Sequence, residues 1–584
     1  MKDDESHTTL SDAQELGHEA RAGSGDHAVL KLWLRMLAST TQVEAGIRRR
    51  LRERFDISLA RFDYMAQLYR FRDGLTMRVL SRYLMVTGGN VTGLTDELER
   101  EGLVVRSASP DDRRAWIVSL TPKGRRGFEA MAQEHEQWVL ELFSGMDALA
   151  VERVYAQLGE IAGPPDARRL GGGQGVSGMD IGWQEIAIPY GAYWSTPFAR
   201  WQGSLAHLHS LQFAAWVAKG ALARRSIDAS VFDHGVLGMT VPQRGSFYGL
   251  PWLMGQLGST SVAGPTINQA CATGVRVLQS GAAEIREGNA GVSLVIAADR
   301  TSNGPHLYYP APHAPGGTGE DENWILDNFS RDPFTGLSMV KTAENVARRH
   351  AIGTARQNEM TLRRYEQYGQ ALSDDAAFLR RFMDLPFAVP DARFKRTQAE
   401  LGGDEGIFPT SAEGLAALAP VIEGGSVTYG GQTHPADGSA AIVLATAERA
   451  RELSSDPGID IRIRSFGQAR VEPGYMPAAP VPAARRALQS AGRAIGEMAA
   501  IKTHNPFVLN DLVFADEFAI DGNRMNNFGS SLVWGHPQGP TGLRAIIELI
   551  EELVLLGGGY GLFTGCAAGD SAMAVVIHVD DSSR

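Results

Sequence analysis

The chain carries only two cysteines in 584 residues, Cys271 and Cys566. No Cys/His cluster has zinc-site spacing, so no metal centre is expected. The two thiols could pair as a structural disulfide, which a cytoplasmic setting disfavours. No apolar run reaches the roughly 18 residues that a membrane helix needs. The start, Met1-Lys2-Asp3-Asp4-Glu5-Ser6, has no basic, hydrophobic leader. These absences argue against membrane spans and secretion and for a cytoplasmic protein. An excess of positive charge is also lacking. With a net charge of −11, any binding to nucleic acid must come from a local patch. The length exceeds a single domain, so at least two are expected.

The first cysteine sits in Asn268-Gln269-Ala270-Cys271-Ala272-Thr273-Gly274. Val275, Leu278, Ala282 and Ile285 follow at helical spacing, so a helix is expected to open at the cysteine. Unpaired N–H groups and the helix dipole would there favour thiolate over thiol. Ala270, Ala272 and Gly274 would admit a close backbone or ligand. The alternative is a buried cysteine that acts as a small hydrophobe.

Residues 1–26 are polar and read as a disordered tail. Leu30, Trp33, Leu34 and Leu37 mark one amphipathic helix; Leu59, Phe62, Met65 and Leu68 mark another. Leu75–Leu84 and Val86–Arg100 read as two short helices across a turn. Gly102–Arg106 and Ala115–Thr121 read as a hairpin around Ser109-Pro110-Asp111-Asp112-Arg113-Arg114. From Leu75 to Arg126 there are nine Lys/Arg against six Asp/Glu, a modest excess that suits phosphate contact.

This order, and above all "LEREGLVVRSASPDDRRAWIVSLTPKG", resembles the MarR family of winged-helix regulators over Leu30–Ile161. The resemblance implies a mostly-α winged helix-turn-helix domain over 27–162 that binds double-stranded DNA. Val86–Arg100 would be its recognition helix, with Thr87, Asn90 and Thr92 towards the DNA. Arg113 and Arg114 would enter the minor groove; a turn held by Asp111 and Asp112 is the alternative. Helices over Arg126–Phe143 and Ala148–Ile161 would serve dimerisation. Gly163-Pro164-Pro165 and Gly171-Gly172-Gly173-Gln174-Gly175 then mark a flexible linker over 163–178.

From 179 to 584, buried-strand patterns (Ser293–Asp299, Ala440–Thr446, Met573–Val579) alternate with helical ones (Thr342–Ile352, Thr541–Gly558), the habit of an α/β protein. "NQACATG", "TAENVA", "SVTYGGQTHPADGSAA", "THNPF", "GHPQGPTGLR" and "GCAAGDSAMA" follow in an order that resembles the thiolase family over about Ile186–Val579. The resemblance implies an α/β/α/β/α fold of two similar halves, assembled as a homodimer or homotetramer. A separate partner subunit is a further option. CoA would be the cosubstrate, with no bound cofactor, nicotinamide or metal.

By the same resemblance Cys271 would carry the acyl group as a thioester, splitting one transfer into two easier steps. His536 would take the Cys271 proton, and Cys566 would be the second acid/base. Backbone N–H groups of Cys271 and Ala568 would form the oxyanion hole, with His504 helping to polarise a carbonyl. One such donor is worth about 3–4 kcal/mol. His306 and Thr433 fall where family members contact CoA. Many members have Asn-Glu-Ala-Phe where this chain has His504-Asn505-Pro506-Phe507, so a Cys–His–His set accompanies the second cysteine. Ala568 replaces a glycine and would narrow the oxyanion hole, and Ser195-Thr196-Pro197 replaces Arg-Thr-Pro. Trp194, Trp201, Tyr308 and Tyr309 hint at an aromatic acyl pocket, with core packing as the alternative. His207 and His209 read as structural.

The leading expectation is a DNA-binding regulator fused to a thiolase that acts on 3-ketoacyl-CoA and CoA, in thiolysis or reverse Claisen condensation. One rival is an acyl-CoA sensor with a silent thiolase domain. The other is a decarboxylating condensing enzyme using Cys271, His504 and His536, with Cys566 dispensable.

Overall fold

The computed structural model describes residues 28–71, 74–77, 80, 88–108, 116–145 and 183–582. The chain divides into two compact units, Met1–Gly175 and Val176–Arg584. The tail, Thr87, Arg113, Arg114, the helix expected over 148–161 and the 163–178 linker lie outside the described residues. No helix among the described residues is long and apolar enough to cross a membrane.

The first unit packs helices α1 (Ala28–Phe55), α2 (Leu59–Arg70), α3 (Gly88–Arg100) and α4 (Pro122–Leu142) around a small antiparallel sheet. Its strands β1 (Leu75–Thr76), β2 (Val104–Ala108) and β3 (Trp116–Leu120) run in the order β1-β3-β2. Leu75 and Thr76 are therefore strand where a helix was expected, because they pair with Val118 and Ile117 on the open edge of the hairpin. Ser58 and Thr121 cap α2 and α4 through their side-chain oxygens, satisfying first-turn N–H groups. Leu51, Tyr64, Met65, Leu68, Val91, Leu98 and Val118 form the core. The Tyr64 hydroxyl meets Thr95 Oγ1 at 2.6 Å inside it, tying α2 to α3. Gly124 is required where α4 starts, since a Cβ would lie 1.9 Å from the Leu103 carbonyl. Thr92 lies on the exposed side of α3.

The second unit repeats one strand pattern. In its first half β5 (His234–Gly238) runs parallel to β7 (Val292–Arg300), which pairs antiparallel with β8 (Ala436–Thr446). The short β6 (Thr266–Ile267) extends the edge beside β5. In the second half β10 (Met498–His504) runs parallel to β11 (Gly558–Ala567), followed by antiparallel β12 (Ser571–Asp581) and β9 (Ile459–Arg470). The two-residue β4 (Ile186–Ala187) pairs with both β8 and β9, so the halves share one hydrogen-bonded path.

Alternating residues build the layers, because successive strand side chains face opposite ways. Leu294, Ile296 and Ala298 of β7 face α5 (Ser210–Arg224) and α6 (Gly249–Leu257), while Val295 and Ala297 face inward. Met573, Val575 and Ile577 of β12 also face inward, with Ala572, Ala574 and Val576 towards α9 (Pro480–Ala491) and α10 (Leu509–Phe518). Between the two halves lie α7 (Thr273–Arg286) and α11 (Gly539–Leu555). The result is helix, sheet, helix, sheet, helix. The expected helix over Thr342–Ile352 is α8 (Met339–Arg349), on the outer side of the second half.

Candidate active site

The middle helices meet at their N-termini. A Cβ on Gly274 would lie 2.7 Å from the Leu543 backbone nitrogen and 2.8 Å from the Gly539 carbonyl. The glycines of "CATG" and "GPTG" thus let α7 and α11 abut, and the turns ahead of them carry Cys271 and His536. Asp299 at the end of β7 fixes this junction by accepting the Gly539 N–H at 2.9 Å and the Thr240 and Val241 N–H groups. Burial pushes Asp299 up to about 7 despite these hydrogen bonds.

Cys271 does not open the helix. It lies two residues ahead of α7, after Ala270 with φ 46°, and is partly exposed. Its thiol donates to Gln538 Oε1 at 3.4 Å. The surroundings of the sulfur work against the expected thiolate. Burial pushes the thiol up to about 11, and the opposing hydrogen bonds from the Ala568 and Cys271 backbones do not recover it. Desolvation of the charged form outweighs the local dipoles. Both cysteines are free, so no disulfide joins them.

Two imidazoles face the sulfur. The His504 and His536 rings lie 4.1 Å apart by centroids, tilted by 31°. The Cys271 Sγ and a nitrogen of each ring all lie within 4.8 Å of one another. Each ring is held by Nδ1: His504 to Ser531 Oγ at 2.8 Å and His536 to Thr541 Oγ1 at 2.6 Å. Both Nε2 atoms are buried without a hydrogen-bond partner among the described residues. Burial drives both rings towards the neutral form. His504 falls well below the imidazole range, with His536 adding to the shift, and His536 falls to about 3. Gln538 opposes the second shift by approaching the His536 ring, though without the alignment of a full hydrogen bond.

The neighbours of His504 bear on its tautomer. Asn505 Nδ2 donates to the Asp511 carboxylate at 2.7 Å, so Asn505 Oδ1 is the atom turned to Ser531 and the Leu532 N–H. The Ser531 hydroxyl has one proton for two acceptors, Asn505 Oδ1 at 3.1 Å and His504 Nδ1 at 2.8 Å; when the proton goes to Asn505, the oxygen accepts from His504 Nδ1–H. In that arrangement the neutral His504 ring presents a lone pair at Nε2 and has no proton there to give an oxyanion. Asp511 is anchored in turn by Arg364 Nε at 2.8 Å, an ion pair with both side chains fully buried.

Cys566 ends β11, fully buried, and accepts from Asn510 Nδ2 at 3.3 Å. Burial raises its thiol well above the usual range, and a Cys271 thiolate nearby would raise it further. The turn after it takes its left-handed residues at Gly569 and Asp570, so Ala568 needs no glycine conformation. Thr433 lies beside the cluster; its N–H donates to the Pro506 carbonyl at 2.8 Å and its hydroxyl to the Ser531 carbonyl. His306 takes no part in these contacts. It is exposed on a hairpin and pairs with Asn323. Trp194 is core, whereas Tyr308 and Tyr309 are exposed on the His306 hairpin. His207 and His209 are structural, bonded to the Pro390 and Arg244 carbonyls. Sequence reasoning missed Gln538, Ser531, Thr541 and the Asp511–Arg364 pair. Only Thr541 and Gln538 carried a local signal, their place in the histidine turn.

Comparison with known proteins agrees with this construction. Residues 192–448 match the thiolase N-terminal domain model, 459–579 the thiolase C-terminal domain model and 55–115 a MarR family model. A probable acetyl-CoA acetyltransferase of Escherichia coli is 28% identical over 397 residues, 66% of this chain and 97% of that protein. An acetyl-CoA acetyltransferase of Pseudomonas aeruginosa is 29% identical over 406 residues, again 66% and 97%. Human mitochondrial 3-ketoacyl-CoA thiolase in complex with CoA superposes with a TM-score of 0.61 at 25% identity, covering 68% of this chain and 98% of that one. Two duplicated halves with a cysteine and two imidazoles at their junction define an acyltransferase of the thiolase type. The chain belongs to the thiolase family, with a MarR-family domain at its N-terminal side.

Proposed function

We propose that the second unit transfers an acyl group between a 3-ketoacyl-CoA and CoA through a Cys271 thioester, in thiolysis or in reverse Claisen condensation. The observation that carries this reading is the convergence of two buried, unpartnered imidazole nitrogens on the one partly open thiol. The resting site is neutral, so the proton must move as substrate arrives. Cys271 S–H loses its proton to Nε2 of His536, and the sulfur attacks the keto carbon. The oxyanion sits on the N–H groups of Cys271 and Ala568, and the carbon–carbon bond breaks to leave the acetyl-CoA enolate. Cys566 protonates that carbon, then takes the proton of incoming CoA, whose thiolate releases the shortened acyl-CoA. Where its Nε2 is the acceptor at rest, His504 can support a carbonyl only after it gains a proton. We assign it first to proton holding. Thr433 and His306 are the proposed CoA contacts, Thr433 with the firmer support from its place beside Pro506 and Ser531.

The decarboxylating alternative needs His504 and His536 as donors to a carbonyl. It would leave the buried Cys566 beside the cluster without a role. Thiolysis of short-chain, medium-chain and aryl 3-ketoacyl-CoA by the purified protein tests the reading. Cys271→Ala should be inert, and an active Cys271→Ala protein would reject it.

The first unit is proposed to bind double-stranded DNA, with α3 in the major groove through Thr87, Asn90 and Thr92 and with Arg113 and Arg114 at the minor groove. Assembly as a dimer or tetramer belongs to the same proposal. This unit also has its own cavity of about 200 Å³, lined by Phe55, Ile57, Arg61, Met65, Leu103 and Met131. A ligand-responsive reading, in which acyl-CoA changes DNA affinity by about 1–3 kcal/mol, belongs to the same proposal and rests on the fusion of the two domains. DNA-binding isotherms that saturating acyl-CoA leaves unchanged would reject the coupling.

A further inference from the structure

The same three side chains are suited to a second chemistry. Thiolate sulfur and imidazole nitrogen are the donors zinc prefers, and three protein ligands with an open fourth position is a common zinc arrangement. Cys271, His504 and His536 offer such a set within 4.8 Å. Their Nε2 atoms are buried and unpartnered, at residues 5% exposed or less. The network through Ser531, Asn505 and Asp511 orients the His504 ring by Nδ1 and is compatible with the tautomer whose Nε2 lone pair a metal accepts. Thr541 holds the second ring by Nδ1 in the same way. Such outer partners are what orient metal-binding histidines.

We propose that the Cys271–His504–His536 cluster binds a thiophilic divalent cation, zinc being the best-matched ion, and that occupancy switches the acyl-transfer site off. Tetrahedral zinc with bonds near 2.0–2.3 Å sets its ligands about 3.3–3.6 Å apart. From separations of up to 4.8 Å the cluster must therefore close by at most about 1.5 Å. Cys271 is its partly open member, so the ion enters from that side and keeps a water as fourth ligand. Binding replaces the Cys271 S–H bond with an S–Zn bond and releases the proton to water. No electron is transferred. The bound sulfur can no longer attack a thioester, and the His536 lone pair can no longer take a proton. The switching rests on the acyl-transfer reading; the metal site does not.

The test uses the full chain and two readouts independent of turnover. Cobalt(II) titration should give a thiolate-to-cobalt absorption band that saturates at one ion per chain and is removed by a chelator. Zinc should protect Cys271, followed by peptide mapping, from iodoacetamide. The band should vanish in Cys271→Ser, and Ser531→Ala should weaken cobalt about tenfold through its histidine. Absence of the band, or alkylation of Cys271 unaffected by saturating zinc, would overturn the site. Zinc that inhibits thiolysis while leaving Cys271 alkylation unchanged would overturn it too. A protein that gives the band but turns over no 3-ketoacyl-CoA would keep the site and remove the acyl-transfer reading instead.

Discussion

The two halves of the second unit share a strand pattern and differ in chemistry. Each runs a parallel pair into antiparallel strands, β5 and β7 into β8, and β10 and β11 into β12. The first half contributes the sulfur ahead of α7. The second contributes His504 as the last residue of β10, His536 ahead of α11 and Cys566 near the end of β11. Duplication supplies a rigid frame, and divergence at the strand ends places the proposed nucleophile on one side and the proposed proton handlers on the other. The histidines differ again. His504 ends a buried relay of Ser531, Asn505, Asp511 and Arg364, whereas His536 rests on one threonine.

The largest effect should come from removing the first half's contribution. Cys271→Ala is expected to lower acyl transfer by about 10⁴-fold or more, measured as loss of 3-ketoacyl-CoA absorbance. Removing the second half's base, His536→Ala, should cost about 10²–10⁴-fold in kcat. A similar loss from Cys566→Ala would support its proposed role, whereas full activity would return weight to the decarboxylating alternative.

Two substitutions sharpen the contrast between the histidine supports. Asp511→Ala leaves Arg364 buried and unpaired, and should destabilise the fold by about 3–5 kcal/mol in denaturant melts. Thr541→Ala removes one buried hydrogen bond, about 1–3 kcal/mol, and Ser531→Ala removes three, to His504 and to the Asn505 backbone and side chain, so it should cost more. Ser531→Ala should lower kcat more than it changes KM, because it frees the His504 tautomer. Equal effects of the two substitutions on kcat would mean that the relay does not matter. A smaller packing effect is expected at the meeting of the helices. Gly274→Ala should cost about 1–3 kcal/mol through overpacking, and more than Gly542→Ala, whose added Cβ meets its nearest neighbours at 3.3 Å rather than 2.7 Å.

The pH dependence of Cys271 alkylation probes the same junction. With the thiol at about 11, the thiolate fraction rises with pH and stays small at neutrality. The alkylation rate should climb about tenfold per pH unit from 7 to 10. A plateau near pH 8 would mean that a thiolate–imidazolium pair already exists at rest.

Much of this was legible in the sequence because each motif couples a chemical residue to small ones. "NQACATG" and "GHPQGPTG" located the turns ahead of both middle helices, and apolar runs located β7, β8 and β12. The helix edge and thiol state at Cys271 were not legible. Local spacing predicts a dipole but not how dry the site is once α11 closes over α7. Of the helix expected from Leu75, the first two residues are strand for a related reason, since their pairing partners Val118 and Ile117 lie over 40 residues on, whereas Met77 and Leu80 are helical. The Ser531–His504 contact spans 27 residues and has no periodic signal to reveal it.

The most direct test of the central claim is to mix the full-length protein with a 3-ketoacyl-CoA, quench in acid and map the peptides by mass spectrometry. The account predicts an acyl adduct on the peptide carrying Cys271, discharged when CoA is added before the quench. An adduct on the Cys566 peptide, or turnover with no adduct on either cysteine under conditions where deacylation is blocked, would contradict it.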